Sequence, residues 1–138
     1  MKFWLLKTEP QSYAYSDLVR EGHTVWDGVS NNWALQNLRL MNPGDLAFIY
    51  HSGKERAIAG IGEIISVPYP DPGMNDEKRV VVDIRPVRKL SGTVTLQAIK
   101  SDPAFRDFML VKFTRLSVMP VEPEIWERIL SMEEAGAR

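Results

Sequence analysis

Residues 79–87 read RVVVDIRPV, and this run is the clearest strand in the chain because β-branched residues dominate it. Two further strand-like runs precede it at residues 46–50 and 57–67. Gly60 and Gly62 lie inside the second of these runs and predict a β-bulge or a close approach of the backbone to another segment. These runs predict a sheet at the centre of the fold.

Outward from this sheet, the sequence predicts more short strands. Residues 3–7 predict a strand that closes at Glu9-Pro10, because a residue before proline avoids the helical region. Further strands are predicted at residues 24–26, 108–113 and 115–118. The proline-rich residues 68–78 predict a surface loop.

Short helices are predicted between and after the strands. They cover residues 16–21 before Gly22, a segment capped by Asn31 or Asn32 and ending near Met41, residues 96–100, and a closing helix with Pro123 in its first turn. The closing helix carries an apolar stripe typical of a core face, made of Ile125, Trp126, Ile129 and Leu130. Residues 42–45, NPGD, predict a type II turn. The pattern predicts an α+β domain around a curved sheet or small barrel.

Composition fits a globular protein of one domain spanning residues 1–138, with 44% hydrophobic and 25% charged residues. Cysteine is absent, which excludes disulfides, thiolate nucleophiles and sulfur-based zinc sites. The first apolar run covers only residues 3–6, too short for a signal peptide or a membrane span, so a cytoplasmic location is expected. The formal net charge of −1 means that any binding of nucleic acid must depend on base contacts or on a local basic patch.

No motif in the sequence points to catalysis, a metal or a cofactor. His23 and His51 form no metal-binding motif. Gly60-Ile61-Gly62 lies inside a strand and precedes no capped helix, so it is not a dinucleotide loop. The phosphate-loop and nucleophile-elbow signatures are absent. We therefore expect a non-catalytic protein.

Polar and aromatic side chains gather where apolar strands end, a pattern typical of a binding mouth. Trp26 and Tyr50 offer flat faces for stacking a nucleobase, a contact worth about 1–3 kcal/mol per base. The groups that could hydrogen-bond to a base edge are Thr8, Asp27, the backbone at Gly28, Asn31, Asn32 and Ser52. Lys7 and Arg115 could contact a phosphate or hold Glu9 in place. We expect these groups to converge on one slot sized for a planar ring.

The same residues also have structural interpretations. Trp4 opens an apolar strand and fits the core better than a ligand site. Tyr50 can rest its ring on the core with its hydroxyl in water. Lys7 and Glu9 can form a surface ion pair of little energetic worth. Trp26 is the more open case, because it precedes a turn and turns expose side chains.

A series of motifs covers nearly the whole chain. They are WLLKTEP at residues 4–10, WDGVSN at 26–31, ALQNLRLM at 34–41, GD at 44–45, FIYHS at 48–52, GIGE at 60–63 and RLSVMPV at 115–121. In their order and spacing they resemble the EVE domain family of the PUA-like superfamily. The resemblance implies a PUA-like small mixed β-barrel of five to six strands with peripheral short helices, and a pocket between the first strand, the WDGV loop and the YHS strand.

The resemblance also implies a function. EVE domains are thought to recognise modified bases in DNA or RNA, notably modified cytosine, without catalysis. The site residues implied by position are Lys7, Thr8, Glu9, Trp26, Asp27, Gly28, Val29, Asn31, Tyr50, His51, Ser52, Arg115 and Ser117. Ser30 and Leu35 replace arginines that are usual in the family, and each lost phosphate contact would weaken binding and flatten its salt dependence. Trp33, beside them, could be a stacking surface or core.

Two other functions remain open at this point. A sensor of a free nucleobase, nucleotide or other planar metabolite is favoured by the near-neutral charge. A hydrolytic enzyme using His51 with Asp27 or Glu9 ranks last, because no nucleophile with a partner can be named.

Overall fold

The computed structural model describes residues 1–136. Its strands are β1 (Phe3–Thr8), β2 (Thr24–Trp26), β3 (Leu46–His51), β4 (Ala57–Ile64), β5 (Tyr69–Pro70), β6 (Val80–Thr95) and β7 (Val118–Val121). Its α-helices are α1 (Tyr15–Glu21), α2 (Asn32–Arg39), α3 (Leu96–Lys100), α4 (Met109–Lys112) and α5 (Pro123–Gly136). None of the helices in the described residues is both long and apolar enough to cross a membrane.

Six of the strands form one mixed sheet in the order β2-β6-β4-β3-β1-β7, and the two-residue β5 pairs with β6. Only β1 and β3 run parallel. The pairing of β4 with β6 changes register twice, between Ile58 and Gly60 and between Ile61 and Gly62. Such irregularities increase the local twist of a sheet. The sheet therefore curls, and helix α2 packs against both β6 and β7.

The predicted role of Gly60 is confirmed by its surroundings. A Cβ atom at this position would overlap the ring of Tyr15 on α1. The Tyr15 hydroxyl donates a hydrogen bond of 2.6 Å to the carbonyl of Ile61. Glycine is required here because α1 lies directly against β4.

The hydrophobic core lies between the sheet and α5. Phe48 of β3 stacks on Trp126 of α5 with ring centroids 3.7 Å apart, and Phe3 stacks on the same indole at 4.5 Å. Trp4 is buried, and its Nε1 donates a 2.9 Å hydrogen bond to the buried carboxylate of Asp45. The core interpretations of Trp4 and of the closing helix are confirmed.

Several sequence predictions are confirmed in detail. The Asn31 side chain accepts a hydrogen bond from the Ala34 amide and caps α2, and Gly22 ends α1 in a left-handed conformation. Gly44 has a φ of 96°, as a type II turn requires.

Other predictions are wrong. Residues 109–112 form α4 where a strand was predicted over residues 108–113, because Phe108 and Leu110 are buried through helical packing that overrides strand propensity. The last strand covers Val118–Val121, so it overlaps the strand predicted at residues 115–118 only at Val118. Strand β6 extends to Thr95, well past residue 87, and its exposed Arg88 and Lys89 hid the continuation.

Candidate functional site

Three grooves adjoin one another through shared lining residues. The seam groove, about 410 Å³, is lined by Lys7, Thr8, Ser12, Tyr13, Thr24, Val25, Trp26, Asp27, Gly28, Val29 and Ser117. The lysine groove, about 350 Å³, is lined by Lys7, Tyr50, Ser52, Gly53, Arg56, Leu96, Lys100, Leu110 and Thr114. The aromatic groove, about 320 Å³, is lined by Asn31, Trp33, Lys112, Phe113, Thr114, Arg115 and Leu116. Lys7 lines the first two grooves and Thr114 the last two, so each groove shares one wall residue with the next.

The seam groove lies where the curled sheet does not close. Its walls come from β2 at one edge of the sheet, and from β1 and Ser117 beside the other edge. No pairing joins β2 to β7 in the described part of the chain. The gap between the two edges therefore forms a cleft.

The wall of the seam groove combines a buried aromatic ring with an exposed carboxylate. Trp26 ends β2, is only 6% exposed, and meets Tyr13 edge to face with centroids 6.2 Å apart. Asp27 is exposed, and no side chain in residues 1–133 is hydrogen-bonded or ion-paired to its carboxylate. Val29 is also buried. The groove thus combines apolar side chains with the Asp27 carboxylate and with the hydroxyl groups of serine and threonine residues.

Tyr13 is a groove residue that the sequence did not reveal. Its hydroxyl donates a hydrogen bond to Glu21, and burial together with this bond raises the pKa of Tyr13 to about 12. The ring therefore stays neutral at physiological pH. The carbonyl of Tyr13 accepts a 2.6 Å hydrogen bond from the Thr8 hydroxyl, which fixes the floor of the groove.

The lysine groove is cationic. The ammonium of Lys7 donates a 2.8 Å hydrogen bond to the Thr114 carbonyl and lies 5.8 Å from the centroid of the Tyr50 ring. Burial lowers the pKa of Lys7. Arg56 and Lys100 also line this groove, and the acidic group of Glu9 lies beside another lining residue, Gly53. The Lys7–Glu9 ion pair considered from the sequence is not formed, and Glu9 instead lies against the turn at Gly53.

The predicted site residues do not converge on one slot, and that expectation is wrong. Trp26 lines the seam groove and Tyr50 the lysine groove, and Tyr50 is only 3% exposed. Ser52 lies with Tyr50, and its hydroxyl donates to the carbonyl of Thr8. Lys7 on β1 is the lining residue that the two grooves share, so its side chain lies between them.

Four other predicted residues lie outside the seam groove. Asn31 and Arg115 line the aromatic groove, and Asn32 lies exposed in the first turn of α2. His51 lines a separate cavity of about 710 Å³, which we term the histidine cavity, together with Tyr15, Val19, Glu55, Ala59 and Val87. Neither Asp27 nor Glu9, the two partners in the hydrolytic interpretation, lines this cavity.

Both ring nitrogens of His51 are engaged. Nε2 accepts a 2.9 Å hydrogen bond from the Tyr15 amide, so the proton lies on Nδ1, 2.8 Å from the Glu55 carboxylate. The imidazole therefore anchors α1 to the end of β3.

Leu35 corrects an inference from the sequence. It is buried on the inner face of α2, so this position does not face the grooves in this chain. Of the two positions that lack the usual arginine, only Ser30 is exposed near them. Trp33 is 39% exposed and lies in the aromatic groove.

Residues 2–132 match the family model described as EVE domain. The chain belongs to the EVE domain family. Thymocyte nuclear protein 1 of Homo sapiens is 32% identical over 165 residues, which cover 95% of this chain and 73% of that protein.

Solved structures share this EVE fold. The NMR structure of Rpa0253 from Rhodopseudomonas palustris is 39% identical, with a TM-score of 0.92, covering 98% of this chain and 94% of that one. Human THYN1 in complex with DNA containing 5-methylcytosine is 32% identical, with a TM-score of 0.88, covering 97% and 98%. The predicted family and the α+β fold of PUA-like type are confirmed. Within residues 1–136, no group of three or more His, Asp or Glu side chains could hold a metal ion.

Proposed function

We propose that this EVE domain binds a modified cytosine of DNA, with the base in the seam groove and without catalysis. The observation that carries the proposal is that the unpaired carboxylate of Asp27 lines the same groove as the apolar side chains of Trp26 and Val29. The complex of human THYN1 with DNA containing 5-methylcytosine supports the same ligand class for a relative.

Asp27 supplies the chemistry that selects cytosine. Cytosine carries an exocyclic amine, which donates hydrogen bonds, where thymine carries a carbonyl oxygen. A carboxylate accepts from the amine and repels the carbonyl. A well-formed contact of this kind discriminates between bases by about 1–3 kcal/mol.

The apolar wall supplies the contact to the modification. Val25, Trp26 and Val29 line the seam groove and can receive a methyl group on the base. Burying a group of this size contributes about 0.8 kcal/mol. A base must leave the duplex to enter such a cleft, at a cost of a few kcal/mol, so single-stranded or weakly paired sites should bind best.

The cationic groups give the domain a local basic patch in spite of its net charge of −1. Lys7, Arg56 and Lys100 surround the lysine groove next to the proposed base site. A strand whose base enters the seam groove would bring its phosphates to this patch. Such a patch is what a protein with a net charge of −1 needs in order to bind nucleic acid.

The placement of His51 supports a role without catalysis. It lies in the histidine cavity with both nitrogens hydrogen-bonded, and the seam groove contains no histidine. Incubation with oligonucleotides and free nucleosides should leave both chemically unchanged. A product that forms with wild type and is lost in His51→Ala would contradict this part of the proposal.

The test of the binding proposal uses Asp27→Asn. An asparagine amide can donate to the thymine carbonyl as well as accept from the cytosine amine, so the preference for cytosine should fall by about five- to a hundredfold. Short single strands that differ only in a central 5-methylcytosine, cytosine or thymine are titrated by fluorescence anisotropy. Asp107→Asn is the matched control, since Asp107 is exposed and lies outside the three grooves.

The two outcomes are distinct. Wild type should prefer 5-methylcytosine, and only Asp27→Asn should lose the preference for cytosine over thymine. Equal affinity of wild type for all three strands would exclude the proposal. Tenfold higher affinity for the corresponding RNA would mean that the ligand is RNA and not DNA.

The near-neutral charge also favours a second candidate, a sensor of a free nucleoside or nucleotide. A thermal shift assay separates the two candidates. Stabilisation by free modified cytidine, with no measurable affinity for any strand, would select the sensor.

A further inference from the structure

The aromatic groove presents two exposed rings to solvent. Trp33 is 39% exposed and Phe113 40% exposed, and they meet edge to face with centroids 4.8 Å apart. Trp33 lies in the first turn of α2, whereas Phe113 follows α4, so the fold brings together two distant segments. The other three tryptophans are buried. The pair is thus a preformed, solvent-facing aromatic surface.

Cations surround this aromatic pair. The Lys112 ammonium lies 6.0 Å from the centroid of the Phe113 ring, and Arg115 is exposed in the same groove. No acidic residue lines the groove. Aromatic rings set among cations without carboxylates complement a chain of bases and phosphates. A protein surface would need opposite charges of its own to match this groove, whereas a nucleic acid always carries them.

The aromatic pair is close to the proposed base site. Trp33 lies six positions after Asp27 in the chain, so their Cα atoms lie no more than roughly 22 Å apart. Stacked nucleotides rise about 3.4 Å each along a strand. A strand that places one base in the seam groove therefore reaches the pair within a few nucleotides. Lys7, which lines the lysine groove, donates a hydrogen bond to the carbonyl of Thr114, the residue that follows Phe113.

From this arrangement we propose that Trp33 stacks on an unpaired base of the same strand, close to the base held in the seam groove, with Phe113 against the edge of that base, while Lys112 and Arg115 contact its phosphates. The inference rests on the proposed function, because it needs a strand bound at the seam groove. It extends that function by making the domain a reader of a base together with its neighbours. Free nucleosides would then bind more weakly than short strands.

The test compares Trp33→Ala, Trp33→Tyr and the matched control Leu40→Ala. Leu40 is exposed at the other end of α2, and its truncation touches none of the three grooves. Each variant is titrated with a strand carrying a central 5-methylcytosine, and with the same strand whose neighbouring nucleotides lack bases. Thermal melting confirms that each variant is folded.

Trp33→Ala should bind the intact strand roughly tenfold more weakly than wild type, and Trp33→Tyr should retain most of the affinity. On the strand without neighbouring bases, wild type and Trp33→Ala should bind equally. Tryptophan fluorescence gives an independent readout, because stacking should quench wild type more than Trp33→Tyr, which lacks the indole at this position.

Failure of this inference is distinguishable from failure of the proposed function. If Trp33→Ala binds the intact strand as wild type does, while Asp27→Asn loses its preference for cytosine, the stacking platform is excluded and the seam groove stands. If wild type discriminates among no strands, both proposals fall.

Discussion

The contact between Glu133 and β6 gives a prediction whose size follows from the structure. Glu133 is buried near the end of α5, and both of its oxygens accept hydrogen bonds from the Arg88 guanidinium. One oxygen also accepts a 2.6 Å bond from the Ser91 amide. The hydrogen bonds from Arg88 outweigh the effect of burial and lower the pKa of Glu133 from 4.5 to about 2.

The sign of the pH dependence follows from that lowered pKa. A carboxylate with a lower pKa in the folded state stabilises the protein fully above its unfolded pKa, and this contribution is lost as the pH falls through the folded value. The window therefore runs from about 4.5 down to about 2. The difference corresponds to at most roughly 3 kcal/mol, and water around Arg88, whose side chain is 46% exposed, reduces it to about 2 kcal/mol.

Glu133→Gln keeps the shape but removes the charge. We expect it to lower the free energy of unfolding by about 2 kcal/mol at pH 7 and by progressively less as the pH approaches 2.5. Urea unfolding at pH 7, 4 and 2.5 measures this, with the exposed Glu127→Gln on the same helix as control. A deficit that stays constant over this range would refute the reasoning, because it would show that the charge of Glu133 contributes nothing.

Two further predictions test the lysine groove and the packing of α1 against the sheet. Lys7→Gln should reduce the slope of log affinity against log salt concentration by about 0.7 for a single strand. Lys78→Gln, on the distant loop, should leave this slope unchanged. Equal slopes for the two variants would show that Lys7 does not contact a phosphate. Gly60→Ala should destabilise the fold by about 1–3 kcal/mol in urea unfolding, because the new methyl group would overlap the Tyr15 ring. Gly73→Ala, in the surface loop, should have little effect. Equal stability of the two variants would contradict the close packing of Tyr15 on β4.

Local signals in the sequence predicted much of the fold. Asn31 as a cap, Gly44 in its turn and the stripe around Trp126 each follow from short-range chemistry, and each is found. The helix at residues 109–112 could not be found in this way, because the propensity of these residues favours a strand. Their packing against α3 and β7 stabilises the helix instead. The missed half of β6 has a similar cause, since its exposed charges interrupt the apolar pattern.

The site was predicted as a set of residues but not as a shape. The sequence indicated Lys7, Trp26 and Asp27, and all three line the seam groove. It did not reveal Arg56 and Lys100, which reach the lysine groove from a turn and a helix far away in the chain. The division into three grooves arises from the curl of the sheet, which depends on bulges and long-range pairing, and no local pattern encodes that.

The central claim is that the base lies in the seam groove beside Asp27. A crystal structure of the domain with a short DNA strand carrying 5-methylcytosine tests it most directly. We predict the exocyclic amine of that base about 2.7–3.2 Å from the Asp27 carboxylate, with its methyl group against Trp26 and Val29. A base found in the histidine cavity, or a strand bound with the seam groove empty, would contradict the account.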